Sequence, residues 1–457
     1  MACQQILASV FEGAPGGAFF VEGPGGTGKT FVYHTLCHAV RARGKIALCV
    51  ASSGIAALLL EGGRTAHSML AIPIPILPDS SLNIPKQSHK AELLRQADLI
   101  LWDEAPMQDK LCAETVDQSL RDIRAQPDRL FGGLTVVFGG DFQQIPPVIV
   151  HGSKPRIIAS SLRRSVLWDQ LCVVRLTQNM RVLPEELSWM QWLLDVGHGR
   201  HTSETADIIL PEALCVGSDV KDLIAAVYPD LEQRQPPEYF MDRTIIAPHN
   251  DSVDLLNQAM LSVLPGNVHT CWSADSASDR DDGVQGDSRN YTSDFLQSLN
   301  ISGLPLARLE LKTGAPVMVL RNIDPANGLC NGTRGIVLNI SRRCVQISII
   351  GGAHHGQKCF IPRITLTPST ESLPFILRRR QFPLRLAFAM SINKSQGQSV
   401  QTVGLDLRRP VFGHGQFYVA VSRCTSGSRV KVLLPPNANY KTKNIVWKEL
   451  LLSPLNV

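Results

Sequence analysis

Eight residues near the start of the chain carry the clearest chemistry. Gly23-Pro-Gly-Gly-Thr-Gly28-Lys29-Thr30 fits G-x-x-x-x-G-K-[ST] at every fixed position, a pattern suited to a polyphosphate. Glycines let backbone N–H groups turn inward around an anion, and a helix opening at Lys29 adds the positive end of its dipole. Gly23, Gly25, Gly26, Thr27 and Gly28 would form the cradle, Lys29 would reach the β- and γ-phosphates, and the Thr30 hydroxyl would ligate Mg²⁺. A ligand-free Gly-rich turn has the same composition. However, this one follows the apolar run Ala18–Glu22 and opens a helical pattern over Lys29–Arg43, the context that a phosphate loop requires.

Such a loop needs a carboxylate partner. Leu99-Ile-Leu-Trp102-Asp103-Glu104 is an apolar strand ending in two acids, which places Asp103 at the carboxyl edge of a sheet, where ligands gather. Asp103 would hold Mg²⁺ and Glu104 would polarise an attacking water. No guanine-reading Asn-Lys-x-Asp is present, since Asn393-Lys394 continues as Ser-Gln, so the expected nucleotide is ATP. A third run, Val136-Val-Phe-Gly-Gly140-Asp141-Phe-Gln-Gln144, ends in polar residues able to sense a γ-phosphate; read in isolation, an ordinary turn capped by Asp141 is the favoured reading.

These residues need a scaffold. Strand-like and helix-like runs alternate through Ala18–Glu22, Lys29–Arg43, Lys45–Ala51, Ile55–Leu60, Leu99–Trp102 and Leu134–Phe138, the signature of a parallel sheet covered on both faces. The Pro-rich stretch Ala71–Pro85 interrupts the pattern as an excursion. A second α/β series starts at Arg243–Pro248 and resumes at Thr402–Leu407 and Arg429–Leu434. Between its pieces, Trp272–Asp294 is rich in Ser, Asp and Gly and reads as an exposed loop. Short β runs (Pro316–Leu320, Arg334–Ile340, Val345–Ile349) separated by Asn-Gly and Gly-Gly turns then predict a small antiparallel barrel. The fold class is α/β, in two halves with a β insertion in the second.

Composition narrows the partners. With 44% hydrophobic and 19% charged residues, the 457-residue chain is no disordered segment, and its apolar runs are too short to span a bilayer. Neither an export signal nor an organelle presequence is legible at its start. Eleven scattered cysteines without a Cys-x-x-Cys pair point to a reducing compartment. The net charge of +5 conceals an imbalance: residues 301–457 hold 21 Lys+Arg and 5 Asp+Glu. That suits a polyanion such as nucleic acid, or simply a solvated basic surface. Within the basic third, Arg378-Arg-Arg380 and Arg385 could meet phosphates. His34, Cys37 and His38 share a helical face at metal-compatible spacing, yet core or surface packing is by far the favoured reading. Trp168, Trp189 and Trp192 read as core.

The ordered motifs also resemble a known family. Phe20-Val-Glu-Gly-Pro-Gly-Gly-Thr-Gly-Lys-Thr, Ala51-Ser-Ser-Gly-Ile-Ala-Ala57, Gly63-Arg-Thr-Ala-His67-Ser68, Trp102-Asp-Glu-Ala-Pro-Met107 and Gly140-Asp-Phe-Gln-Gln-Ile-Pro-Pro147 are similar to the Pif-type DNA helicases of superfamily one, relatives of RecD. So are Leu176-Thr-Gln-Asn-Met-Arg181, Ala389-Met-Ser-Ile-Asn-Lys394-Ser-Gln396-Gly397 and Tyr418-Val-Ala-Val-Ser-Arg423, and the wording is nearest to Helitron-like helicase domains. The resemblance implies two RecA-like P-loop domains with parallel sheets and ATP between them, over 1–180 (with a wedge insertion at about 65–90) and over 181–311 plus 386–457. It places an SH3-like β-barrel over 312–385. It also implies 5′→3′ translocation on single-stranded DNA, unwinding at duplex junctions, and roles in DNA repair, recombination and telomere maintenance. A monomer in the nucleus is expected, the mitochondrion being an alternative within the family.

Carried residue by residue, Arg181 and Arg423 would contact the γ-phosphate and Gln144 would sense it. Gln396 and Gly397 would link ATP state to DNA grip, and Ser53, Thr65, His67, Lys394 and Ser395 would line the DNA path. The family's adenine-reading Gln falls upstream of residue 1 when Ile6 and Val10 are aligned with its first helix, so neither Gln4 nor Gln5 is assigned to it. The paired histidines of a Helitron nuclease are absent from the sequence. Two other readings stay open at this point: a truncated DNA-binding remnant with weak or no ATPase activity, and an ATPase switch that moves no strand.

Overall fold

The computed structural model describes residues 2–12, 17–180, 184–278, 291–301, 303–368 and 373–452. The first domain is built on six parallel strands: β1 (Ala18–Glu22), β2 (Ala47–Ala51), β3 (Arg64–Thr65), β4 (Leu99–Asp103), β5 (Thr135–Gly140) and β6 (Cys172–Arg175), in spatial order β3-β2-β4-β5-β1-β6. Every residue of β2, β4 and β5 is buried, because helices cover both faces of the sheet. Helices α1 (Ala2–Phe11) and α2 (Lys29–Arg41) pack on one face through Ile6, Leu36 and Val40. On the other face, Trp102 and Phe138 meet the helix Lys110–Ile123. The packing is tight around Tyr33: a Cβ at Gly139 would lie 1.6 Å from its hydroxyl, so only glycine fits there. The Pro-rich excursion folds back on the same domain, burying Ile72, Leu82 and Ile84.

The second domain carries four parallel strands in the order Ala389–Ser391, Arg243–Ala247, Thr402–Asp406, Val430–Leu433. The β insertion is a five-stranded antiparallel sheet, ordered Lys358–Pro362, Cys344–Ile349, Arg334–Ile340, Pro316–Val319, Leu384–Leu386. Its core also takes Cys271, Leu309 and Leu311 from a two-stranded ribbon, so the insertion draws on residues as early as 269.

Two expectations change here. The stretch beginning at Trp272 is not a loop over its described part: Trp272 ends a strand, and Ala274–Ser278 pairs antiparallel with Ile376–Gln381. Residues 279–290 lie outside the described residues, and Ser293 and Asp294 open the helix Ser293–Ser298. The Ser/Asp-rich strand forms because Asp275 meets the fully buried Arg379 at 2.8 Å, a partner about a hundred residues away that local composition cannot reveal. The arginine triplet is split by the same alternation. Arg378 and Arg380 face solvent, whereas Arg379 also donates to the carbonyls of Leu296, Leu299 and Pro305. Arg385 is paired with Asp254. Trp168 and Trp189 are buried, as the sequence suggests.

The two domains meet along Asp141–Gln144. Tyr418 Oη donates to Asp141 Oδ2 at 3.1 Å, and a Cβ at Gly415 would strike the Gln143 carbonyl at 2.4 Å. His414 is fully buried in this seam. The Trp447 N–H donates to its Nδ1 at 2.8 Å, so Nε2 carries the proton and donates to the Phe142 carbonyl at 2.9 Å. Burial pulls its pKa down to about 4. A neutral histidine in the fold contributes stability that is full above the ordinary value of about 6.5 and is lost as pH falls from there towards 4. Urea unfolding at pH 7 and pH 5 is therefore expected to show an acid loss on the order of 2 kcal/mol. The His414→Gln variant should reduce that loss.

Candidate active site

The phosphate loop leaves β1 at Glu22 and returns into α2 at Lys29. Gly26 and Gly28 adopt φ of 87° and 88°, the left-handed region, and a Cβ at Gly26 would come within 2.7 Å of the Asn179 amide. Glycine is thus required by both conformation and space. Thr27 Oγ1 donates to the Pro24 carbonyl at 2.9 Å, and Lys29 Nζ donates to the carbonyls of Gly23 at 2.5 Å and Pro24 at 3.1 Å. Thr30 is the second residue of α2.

Neighbouring strands β4 and β5 end beside this loop, which brings Asp103, Glu104 and Gln144 to it. A cleft of about 320 Å³ is lined by Lys29, Thr30, Asp103, Glu104 and Gln144 from the first domain and by Gly397, Tyr418 and Arg423 from the second. Motifs nearly 400 residues apart in sequence therefore share one space. Arg181 lies outside the described residues.

The electrostatics match the geometry. Burial pushes the Glu104 carboxyl up to about 7, with the Asp103 charge adding to the rise and Lys29 and Arg423 opposing it. Burial also raises Asp103 and Asp141, both moderated by Lys29. Arg423 is buried on the backbone of its own domain: Nε donates to the Val419 carbonyl at 2.9 Å and Nη1 to that of Gln398 at 3.2 Å. Among the described residues, Gln144 Oε1 is buried with no protein partner, as befits an acceptor reserved for a ligand or its water. Thr30 and Asp103 are hard oxygen donors of the kind that hold Mg²⁺ beside phosphates. Gln396 is buried behind Gly397 and does not line the cleft; its amide atoms also lack partners among the described residues.

A second cavity, of about 750 Å³, runs between the domains and the insertion. Lys394 lines it with Arg321 and Arg385, and its Nζ donates to Asn331 Oδ1 at 3.0 Å. Burial and then the like charges of Arg385 and Arg321 pull its pKa down. The other residues expected on the DNA path do not line this cavity. Ser53 caps the short helix Gly54–Leu58 by accepting from the Ala56 N–H, and Thr65 ends β3. His67 is half-buried against Gln108, and the buried Ser395 hydroxyl donates to the Ile392 carbonyl at 2.7 Å.

Sequence reasoning assigned no role to Asn179, whose Nδ2 donates to the Gly25 carbonyl at 3.1 Å, nor to Tyr418 and His414 in the seam. Asn179 and Tyr418 sit inside quoted motifs, but their partners are set by domain contact. Asp141 is a turn cap, its Oδ1 accepting from the Gln143 N–H, and its Oδ2 also accepts from Tyr418 of the second domain. The His34, Cys37, His38 face holds no metal cluster among the described residues. His34 meets the Leu59 carbonyl, His38 faces Glu61, and Cys37 is core.

Comparison with known proteins gives a consistent picture. A family model described as PIF1-like helicase matches residues 1–207, and one described as the 2B domain of DNA helicase Pif1 matches residues 294–340. The human ATP-dependent DNA helicase PIF1 is 28% identical over 94% of this chain and 59% of its own length. The rat protein of the same name is 30% identical over 94% and 60%. The chain thus spans about three-fifths of these relatives. Bacteroides Pif1 bound to single-stranded DNA superposes with a TM-score of 0.66 at 25% identity, covering 94% of this chain and 91% of that one. Candida albicans Pif1 shares the fold at 22% identity, with a TM-score of 0.66 over 98% and 96%.

Removing the cation at the centre of the cleft should uncouple phosphate binding from folding. Lys29→Ala is expected to weaken binding of a fluorescent ATP analogue by about tenfold or more, the loss of a charge-assisted bond, with thermal melting little changed. Titration of both proteins checks this.

Proposed function

Because the chain belongs to the PIF1-like helicase family, we propose that it is an ATP-dependent DNA helicase that moves 5′→3′ along single-stranded DNA and opens duplex junctions. The observation that carries this reading is the shared cleft: Lys29, Glu104 and Gln144 from one domain face Arg423 from the other. Hydrolysis is thereby tied to domain closure. Glu104 accepts a proton from the attacking water, Arg423 offsets charge developing on the γ-phosphate, and Lys29 holds the β- and γ-phosphates. Thr30 and Asp103 would hold Mg²⁺, whose charge offsets that of the triphosphate when bound.

The DNA assignment is supported by the lysine–arginine channel beside the cleft and by the single-stranded DNA in the Bacteroides relative. A further relative, 25% identical, is described in a structural account of unwinding at forked duplex DNA by two coordinating Pif1 helicases. We assign the chain accordingly to the nucleus or an organelle that holds DNA, in work such as repair, recombination and telomere maintenance. The two RecA-like domains expected from the motifs are kept as part of this proposal, with the start of the β insertion moved back from 312 to about residue 269.

Adding single-stranded DNA should raise ATP turnover at least tenfold, with displacement from a 5′-tailed duplex and none from a 3′-tailed one. Turnover that ignores DNA would overturn the helicase reading. Acidity provides a second test. A base with a pKa of about 7 must be deprotonated, so turnover is full above that value and falls about tenfold per pH unit below it. Glu104→Gln should cost at least a hundredfold in turnover while ATP binding persists.

A further inference from the structure

Eleven cysteines are present, and those among the described residues are mostly isolated in the core. One pair differs. Cys37 on the third turn of α2 and Cys49 in β2 hold their sulfur atoms 2.9 Å apart, both buried. No other two cysteines lie within hydrogen-bonding distance among the described residues. A disulfide requires about 2.05 Å between sulfurs, so closure asks for less than 1 Å of movement at each. The Arg41 guanidinium lies beside the pair: Nη2 is 3.9 Å from Cys49 Sγ and donates to the Ala47 carbonyl at 3.2 Å. The Cys49 hydrogen bond, helped by the Arg41 charge, draws the Cys37 thiol down against its burial, whereas the same bond and burial push the Cys49 thiol up, so Cys37 is the nucleophile of the two.

We propose that Cys37 and Cys49 are a disulfide-forming pair, a thiol modification site between α2 and β2 that hydrogen peroxide oxidises in two steps. The Cys37 thiolate attacks one peroxide oxygen; the O–O bond breaks, a sulfenic acid forms and water leaves. Cys49 then attacks the sulfenic sulfur, the S–S bond forms, the S–O bond breaks and a second water departs with the two remaining protons. Two thiols lose two electrons in total, and the peroxide takes them up.

The position gives the bond a consequence. It would tie α2, which begins at Lys29, to β2, whose successor Ser52 donates from N to the Asp103 carbonyl at 3.1 Å and from Oγ to the Glu104 carbonyl at 2.6 Å. Both walls of the cleft floor would then be stapled across a short loop, which resists unfolding of the first domain.

The test treats the full chain with hydrogen peroxide, blocks remaining thiols and maps peptides without reduction. The expected result is one cross-linked peptide joining Cys37 to Cys49, two fewer free thiols, and a melting temperature higher by about 5 °C that dithiothreitol reverses. In Cys49→Ser the peptide and the shift should both vanish. Recovery of Cys37 and Cys49 as free thiols or as sulfinic acids, or cross-linked to other cysteines, overturns the proposal. The wild-type peptide map decides the matter even if the variant fails to fold.

Discussion

Two carboxyl groups side by side at the end of a buried strand are costly, and this protein keeps Asp103 and Glu104 there. Desolvation raises both, and a carboxyl held neutral cannot draw a proton from water. What moderates that cost is positive charge, and it comes from two directions. Lys29 enters with the phosphate loop from the same domain, while Arg423 reaches the site from the other. The site is therefore incomplete in either domain alone. The parallel sheets, the glycines that let the loop turn and the seam between domains all serve to hold these four side chains together.

In the proposed motor, the seam would carry a signal from nucleotide to movement. Asp141 and Gln144 follow β5 within reach of the cleft, and the same segment is gripped by Tyr418, His414 and Gly415 of the second domain. Tyr418 also sits on the short helix Gln416–Val421, and Arg423 directly follows its cap, Ser422. On the proposed reading, a change at the γ-phosphate would be felt through Gln144 in one direction and Arg423 in the other, since both line the cleft. The Gly397 loop touches the cleft on one side, and three residues earlier Lys394 lines the larger cavity. A displacement of that loop would alter the grip on a bound strand.

Much of this was legible from local pattern. Strands such as Leu99–Asp103 are continuous apolar runs, and a parallel sheet buried on both faces leaves that mark in the sequence. The phosphate loop was legible for a related reason, since its glycines answer to backbone geometry rather than to distant contacts. What stayed hidden depends on long-range pairing. Ala274–Ser278 looks like a loop until Asp275 finds Arg379, and the strand Ala389–Ser391 is too short to carry a period. Tyr418 and His414 are ordinary residues whose roles exist only once two domains dock. At Ser53 and Ser395 motif membership marks a neighbourhood, and the two hydroxyls serve the backbone turns that shape it.

The claim that one triphosphate is shared by two domains is tested most directly at Arg423. Single-turnover hydrolysis and ATP binding should be measured for the wild type and for Arg423→Ala and Arg423→Lys at saturating DNA. The shared-site account predicts that binding changes by no more than a few-fold while the hydrolytic step slows by about a thousandfold in the alanine variant, with only partial recovery in lysine. Hydrolysis at the wild-type rate in Arg423→Ala would contradict it, because the second domain would then contribute nothing to the chemistry.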